Sequence, residues 1–367
     1  MALVLDNVSR IVSGQTHIAP TNLTLAGGSL SLLLGLTLSG KTSLMRLMAG
    51  LDKPTTGRIR LGDVDITDWP VRKRNVAMVY QQFINYPSLS VYENIASPLR
   101  IAGLAAAEID RRVHDQAERL KIDSMLDRLP EELSGGQQQR TAMARALVRN
   151  ADLVLLDEPL VNLDYKLREE LRDELPRALE GSQSVVVYAT TDPEEALAFG
   201  GKTAVLQEGR LLQFDRAAQV YAQPATVHVS SVFSDPPMNI VAGELTEDEV
   251  RIGDLLRCRR PPALADLAAG PCMFGLRPAH LRIIEGSDPA NSVKATIDVT
   301  EISGSDTYVH CEVGGEPWVV VETGVHEYEL GASIDLQFDP DRLFVFDRDQ
   351  HLVYSPETTQ RAAAQDA

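Results

Sequence analysis

The sequence predicts an α/β domain over residues 1–235, followed by a smaller β-rich domain over residues 236–355 and a short tail, 356–367. Two observations carry this. In the first part, short apolar runs alternate with amphipathic stretches. Beyond Pro236 and Pro237 that alternation gives way to short β-like runs separated by Gly, Pro and Asp clusters. The chain has 367 residues, enough for two cores.

The buried strands of the first part are read at Leu32–Leu34, Leu153–Leu156 and Val185–Val187. Helical patterns lie at Lys41–Ala49, Gln137–Val148 and Tyr165–Leu179. A helical insertion is expected around Ser97–Glu132. Such alternation predicts a largely parallel sheet with ligands at the carboxyl ends of its strands. The second part offers Val250–Ile252, Leu281–Ile284, Val293–Val299, Thr307–Val313, Trp318–Val321, Ile334–Phe338 and Leu343–Phe346, which predict a small OB-like β-barrel domain. Thr358–Ala367 reads as a frayed tail.

Charge and cysteine content narrow the function classes. The net charge is −17, with no long Lys/Arg run, so a nucleic-acid backbone is not an expected partner. The three cysteines, Cys258, Cys272 and Cys311, are widely spaced and give neither a disulfide framework nor a metal-ligand pattern. Met1–Arg10 lacks a basic stretch followed by an apolar core, so no secretory leader is read. The longest apolar run, near Leu30–Leu38, is shorter than the roughly 20 residues a spanning helix needs.

Gly35-Leu36-Thr37-Leu38-Ser39-Gly40-Lys41-Thr42 fits the phosphate-loop pattern, follows a strand and opens a helix, which is the context that pattern requires. Amides of the loop and of the helix start (Gly35, Leu38, Ser39, Gly40, with Ser43 in the first turn) converge on phosphate oxygens. Lys41 supplies the positive charge, and the Thr42 hydroxyl suits Mg²⁺. Further on, Ser134 reads as the N-cap of a helix whose first residues are Gly135, Gly136 and Gln137, a second phosphate-binding helix start. The apolar strand Leu153–Leu156 ends in Asp157 and Glu158. A carboxylate there requires a cation or donor, so Asp157 is read as a Mg²⁺ ligand and Glu158 as the general base for an attacking water. Taken singly, each of these has a bland reading as a capped turn or an acidic loop.

Together, and in this order, they resemble the ATP-binding-cassette (ABC) ATPase family. Gly35–Thr42 corresponds to its Walker A motif, Leu133–Gln137 to its signature, and Leu153–Asp157 with Glu158 to Walker B. Gln81 looks like the Q-loop glutamine, a further Mg²⁺ contact, and Asp164 like the D-loop aspartate. The segment Ile84–Ala96 and the stretch Phe274–Leu281 resemble the carbohydrate-importer subfamily with its appended regulatory barrel. The resemblance implies ATP and Mg²⁺ as cofactors. It implies a head-to-tail pair of ATPase subunits, each nucleotide lying between the Walker motifs of one and the signature of the other. It also implies two membrane-spanning permease subunits, an indirect solute-binding protein, and a place on the cytoplasmic face of the membrane. The expected cargo is a sugar, a polyol such as glycerol, or a similar solute. A non-transport ABC ATPase and a non-catalytic binding module are the competing readings.

Three positions depart from the family pattern. Leu38 stands where a glycine is usual, although Leu is poorly suited to positive φ. Val12 stands where an aromatic ring stacks on adenine. Thr191 stands where the switch histidine is expected, and threonine cannot serve as a general base near neutral pH. Asp192, Pro193 and Glu195 nevertheless read as a normal helix start. All three departures fall on the Walker side, whereas the signature is intact. The expectation is a chain with a degenerate nucleotide site of its own, paired with an unlike ATPase. The alternative is a competent homodimeric ATPase.

Overall fold

The computed structural model describes residues 1–356, apart from Phe83, Asn162, Asp164, 180–182, Asp254 and 285–290. Contacts divide the chain into two compact units, 1–217 and 218–367.

The first unit opens with β1 (Ala2–Val12) and β2 (Gln15–Ala26). The two-residue turn between them, Ser13-Gly14, has positive φ at both positions, matching the twist of a tight hairpin. Then come β3 (Leu30–Leu34), α1 (Lys41–Ala49), β4 (Thr56–Leu61), β5 (Val64–Asp65) and β6 (Val76–Val79). The helices α2 (Val91–Ile101), α3 (Ala106–Arg119) and α4 (Gly135–Leu147) pack on one another. The unit continues with β7 (Leu153–Asp157), α5 (Tyr165–Leu179), β8 (Val185–Thr190), α6 (Pro193–Phe199) and the hairpin β9 (Lys202–Gln207) and β10 (Arg210–Arg216).

Two sheets result. One is six-stranded, in the order β10-β9-β3-β8-β7-β6, with β9-β3-β8-β7-β6 all parallel. Its central strands β7 and β8 are buried along their whole length, as continuous apolar runs require. The other is a four-stranded antiparallel sheet, β2-β1-β4-β5, which the alternation argument did not anticipate. A single core holds Leu3 and Leu5 of β1, Leu44, Met45 and Met48 of α1, and Leu153 and Leu155 of β7. Helix α1 therefore lies between the two sheets, with its N-terminus at the carboxyl end of β3.

The second unit contains α7 (Ala217–Ala222) and α8 (Val227–Val232). Its strands are β11 (Asn239–Leu245), β12 (Glu249–Ile252), β13 (Leu256–Arg259), β14 (Gly270–Leu276), β15 (Leu281–Ile284), β16 (Ser292–Ile302), β17 (Asp306–Val313), β18 (Glu316–Thr323), β19 (Ser333–Phe338), β20 (Phe344–Phe346) and β21 (Leu352–Tyr354). They form a six-stranded sheet, β13-β12-β11-β14-β20-β21, and a five-stranded one, β15-β19-β16-β17-β18. Val241, Phe274 and Leu276 of the first share one core with Val293, Ile297, Val309, Trp318 and Leu336 of the second. Strands β11 and β14 were passed over in the sequence because glycines interrupt them. Gly243 and Gly275 are there for close approach: a Cβ on Gly243 would meet Arg251 O at 2.4 Å, and one on Gly275 would meet Met238 Sδ at 2.5 Å.

The division between units falls at 217/218, before the expected 235, for a visible reason. Val227 N donates to Gln350 O at 3.0 Å, and Leu352 N to Ala225 O at 3.0 Å. Residues 218–235 are thus fastened to the C-terminal strands. Residues 357–367, most of the expected tail, lie outside the described residues. The buried Arg277 anchors the same region. Its guanidinium lies 3.5 Å from the Tyr221 ring centroid and donates to Tyr221 O at 2.6 Å and Ser234 Oγ at 3.4 Å. Arg277→Ala should destabilise the protein by about 2–4 kcal/mol, through lost stacking and orphaned acceptors. Arg277→Lys should recover less than half of that loss, since an ammonium lacks the planar fork. Thermal melting of the three proteins provides the measurement.

Candidate functional site

The loop from β3 to α1 begins at a backbone junction. Gly35 N donates to Thr190 O at 3.4 Å, and Glu158 N donates to Ala189 O at 3.0 Å. The ends of β3, β7 and β8 are thereby held side by side. Gly35 is confined: a Cβ there would meet Leu206 O and Ser39 Oγ, each at 2.5 Å. Gly40 sits at φ 103, within 3.0 Å (from its would-be Cβ) of the Gly209 Cα in the β9–β10 turn. Ser39 is turned inward, 5% exposed, and its Oγ has no hydrogen-bond partner among the described residues.

Lys41 is the most constrained charge in the loop. It is 4% exposed, and its Nζ donates to Gly35 O at 2.6 Å and Leu36 O at 3.2 Å. It also lies 3.2 Å from Glu158 Oε1. The other carboxylate oxygen of Glu158 accepts from Gln81 Nε2 at 3.0 Å. Thr42 Oγ1 donates to Asp157 Oδ2 at 2.9 Å. Asp157 is buried, and burial first, then the neighbouring Glu158 charge, pushes its carboxyl above the ordinary range against the opposing pull of Thr42 and Lys41. The structure thus joins Gly35, Lys41, Thr42, Gln81, Asp157 and Glu158 into one cluster, with Ser43 half-buried in the first turn of α1.

This cluster suits a nucleotide polyphosphate. The orphaned Ser39 hydroxyl and the glycine-narrowed loop can donate to an anion, and the buried ammonium supplies positive charge beside them. The hard oxygens of Thr42 and Asp157 have the chemistry for Mg²⁺. Among the described residues no group of three His, Cys, Asp or Glu side chains forms a metal cage. Mg²⁺ is in any case characteristically held by one or two protein oxygens plus phosphate.

The three unusual positions are placed as follows. Leu38 has φ 68 and a side chain 92% exposed, so a residue ill-suited to the left-handed region does occupy it. Val12 ends β1, is 37% exposed, and brings no ring. Thr191 directly follows β8 and is half-buried. The helix start after it is built as expected: Asp192 accepts from Glu194 N at 2.8 Å and Glu195 N at 3.4 Å. Beneath it lies a network that sequence reasoning missed. Tyr188 Oη and Thr190 Oγ1 both donate to the buried Glu195 carboxylate, at 2.9 and 2.6 Å. Burial raises the Glu195 carboxyl above its ordinary range.

Ser134, Gly135, Gly136 and Gln137 start α4. Ser134 Oγ accepts from Gln137 N at 3.4 Å, and Gln137 Oε1 accepts from Ser134 N at 3.0 Å, a reciprocal cap. Among the described residues no hydrogen bond or ion pair joins these four to the phosphate loop. Asp164 lies outside the described residues. A second unanticipated network fastens α4 to the segment after Gln81. Arg145 donates to Ile84 O and lies 4.8 Å from the Tyr86 ring centroid. Asn85 Nδ2 donates to Gln138 O at 2.8 Å. The fully buried Asn94 bonds Tyr86 through N, at 2.8 Å, and O, at 3.1 Å.

The raised Asp157 carboxyl makes a directional prediction. Protonation of Asp157 stabilises the ligand-free fold at acid pH, and that contribution is lost as pH rises through its raised folded value. Asp157→Asn should therefore raise the neutral-pH melting temperature of the ligand-free chain. It should also weaken Mg²⁺-dependent nucleotide binding by roughly 100-fold. Melting curves with and without Mg²⁺ and nucleotide measure both effects.

Comparison with known proteins agrees with this architecture. Residues 18–161 match the family model described as ABC transporter, and residues 274–346 match that of the TOBE domain. The chain is 35% identical over 360 residues to the trehalose/maltose import ATP-binding protein MalK of Thermococcus litoralis, covering 94% of this chain and 97% of that protein. It is 34% identical over 356 residues to the sn-glycerol-3-phosphate import ATP-binding protein UgpC of Psychromonas ingrahamii, covering 95% and 94%. It is 34% identical over 365 residues to the diacetylchitobiose uptake system ATP-binding protein MsiK of Streptomyces coelicolor, covering 94% and 97%. Among solved structures it resembles a dimeric ATP-binding cassette in a post-hydrolysis state bound to ADP and phosphate. The TM-score is 0.53 and the identity 28%, over 59% of this chain and 98% of that one. With its phosphate loop, paired carboxylates and capped signature helix on one α/β unit, and a β-rich unit after it, the chain belongs to the ATP-binding subunits of ABC transporters, in the branch that holds the sugar and glycerol-phosphate import proteins.

Proposed function

We propose that this chain is the ATP-binding subunit of an importer for a small polyhydroxylated solute, a sugar or a polyol such as glycerol or its phosphate, and that it works as the degenerate half of a pair of unlike ATPase subunits. The relatives named above support the import role and the solute class. No helix is long and apolar enough to cross a membrane among the described residues. By likeness to the import relatives, we read the chain as acting from the cytoplasmic face, docked on two permease subunits that receive solute from a binding protein.

ATP with Mg²⁺ is the ligand of the cluster. When bound, Mg²⁺ neutralises phosphate charge; Thr42 and Asp157 are its protein ligands, with Gln81 beside them. Lys41 and the loop amides hold the phosphates. Glu158 takes a proton from the attacking water as general base, and Asp164 is assigned from its sequence position as the D-loop aspartate.

The observation that carries the asymmetric reading is Thr191. It occupies the position from which an imidazole would reach the phosphate, on a loop whose backbone and helix cap are intact. Hydrolysis at this chain's own site is thereby slowed, while Ser134, Gly135, Gly136 and Gln137 remain fit to complete the partner's site. The homodimeric reading has one feature in its favour: Glu158 is retained and held by Lys41 and Gln81.

Two expectations follow from this reading. The isolated chain turns over ATP slowly, and Thr191→His raises the rate by roughly tenfold or more, measured as Mg²⁺-dependent phosphate release; brisk turnover by the unaltered chain would count against it. The second test uses paired variants in the assembled transporter. Gly135 faces open space, with nothing within 4 Å of an added Cβ, so Gly135→Asp leaves this chain's fold intact. It should nevertheless abolish transport, because the loss falls on the partner's site. Glu158→Gln here should cost far less than the matching change in the partner. Equal losses from the two glutamate variants, or a complex with a single kind of ATPase subunit, would sink the asymmetric reading.

A further inference from the structure

Helix α6 starts in a way that its sequence does not require. With Asp192 as N-cap and Glu195 at the third helical position, the ordinary reciprocal cap would turn the Glu195 carboxylate back onto Asp192 N. The structure does otherwise. Asp192 N donates to Thr190 Oγ1 at 2.9 Å. Glu195, 5% exposed, turns inward and accepts from Thr190 Oγ1 and Tyr188 Oη. A carboxylate is thereby buried where a capping role was open to it, at a desolvation cost that starting a helix does not call for.

This arrangement makes the Thr190 hydroxyl a two-way link. It accepts from the amide two residues on, and it donates to Glu195 Oε2 at 2.6 Å. The first bond closes a side-chain turn with Thr191 at its centre, which limits the backbone of Thr191. The second fixes the direction of the hydroxyl: with its hydrogen committed to Glu195, its lone pairs are free for Asp192 N. Asp192 in turn accepts from Glu194 N and Glu195 N, so Thr191 is bracketed on both sides. The backbone reaches the other way. Thr190 O accepts from Gly35 N at 3.4 Å, and Ala189 O accepts from Glu158 N at 3.0 Å. Residue 191 is therefore tied through Thr190 to the start of the phosphate loop. Among the described residues, the buried Thr190 and Glu195 side chains make no hydrogen bond or ion pair to Lys41, Thr42, Asp157 or Glu158.

We propose that Thr190 is a positioning residue for ATP hydrolysis at this chain's own site, oriented by Glu195, and that it sets where the side chain at position 191 lies relative to the nucleotide. This rests on the reading of position 191 given above and adds to it the group that does the placing. Threonine or an introduced histidine at 191 depends on it alike.

The test uses the full-length chain, with Thr190→Val and Thr190→Ser each made in the unaltered chain and in the Thr191→His chain. Valine keeps the branched shape and loses the hydroxyl; serine keeps the hydroxyl. Mg²⁺-dependent phosphate release gives kcat and the KM for ATP. Tyr188→Phe is the structural control, since it takes one donor from Glu195 and leaves the bond to Asp192 N. Thr190→Val should lower kcat about tenfold in both backgrounds at unchanged KM, as misplacement of a group that acts in the transition state does. Thr190→Ser should keep most of the rate, and Tyr188→Phe should lower the melting temperature without that loss. The inference is overturned if Thr190→Val keeps its rate, if KM rises in place of a fall in kcat, or if Thr190→Ser or Tyr188→Phe loses as much as Thr190→Val. Failure of Thr191→His to raise turnover counts against the reading of position 191 alone, because Thr190→Val must still lower kcat in the unaltered chain. A chain without turnover in either background refutes both.

Discussion

A buried ammonium group organises the catalytic end of this molecule. Lys41, 4% exposed, cannot be left unpaired in a site from which water is largely excluded. Its partners are the carbonyls of Gly35 and Leu36 and the Glu158 carboxylate. Those contacts set the curvature of the loop and bring the ends of β3 and β7 together. They also hold Glu158, which adopts φ 46, a conformation uncommon outside glycine. Phosphate oxygens have the chemistry to replace each of these acceptors.

Around that centre the parallel sheet is a positioning device. Strands β3, β7 and β8 end at one level because their registers are locked, Leu34 opposite Thr190 and Asp157 opposite Ala189. Each strand then contributes a different function at its carboxyl end: the phosphate loop, the carboxylate pair and the Thr191 loop. This is the switch-point arrangement of open α/β sheets, in which loops do the chemistry and buried strands keep them in place. The Tyr188–Thr190–Glu195 network lies just below and stiffens the last of these loops, although its outermost residue is not the expected histidine.

What could be read from sequence and what could not divide along a physical line. The phosphate loop, the signature cap and the carboxylates after β7 were legible because their chemistry depends on spacing within a few residues. The parallel strands were legible because burial on both faces leaves unbroken apolar runs. The antiparallel sheet β2-β1-β4-β5 was not, since β1 and β2 mix polar residues into strands covered on one face only. Strands β11 and β14 were hidden by glycines that packing demands. The side-chain networks were hidden for another reason: Arg145 and Ile84 are 61 residues apart, and Arg277 and Tyr221 are 56 apart. Pairings at such distances leave no local pattern.

The clamp between α4 and the segment around Tyr86 has a mechanical consequence. Asn85 grips the helix at Gln138, near its start, and Arg145 is held by Ile84 and Tyr86 two turns further along. Two attachments on a continuous helix resist hinging between them, so the segment and the helix move as one stiff rod. From Arg145 to Ser134 the rod is about 16 Å long at the ordinary helical rise. A push on residues 84–86 is therefore carried to the glycines at the helix tip with little loss along the way.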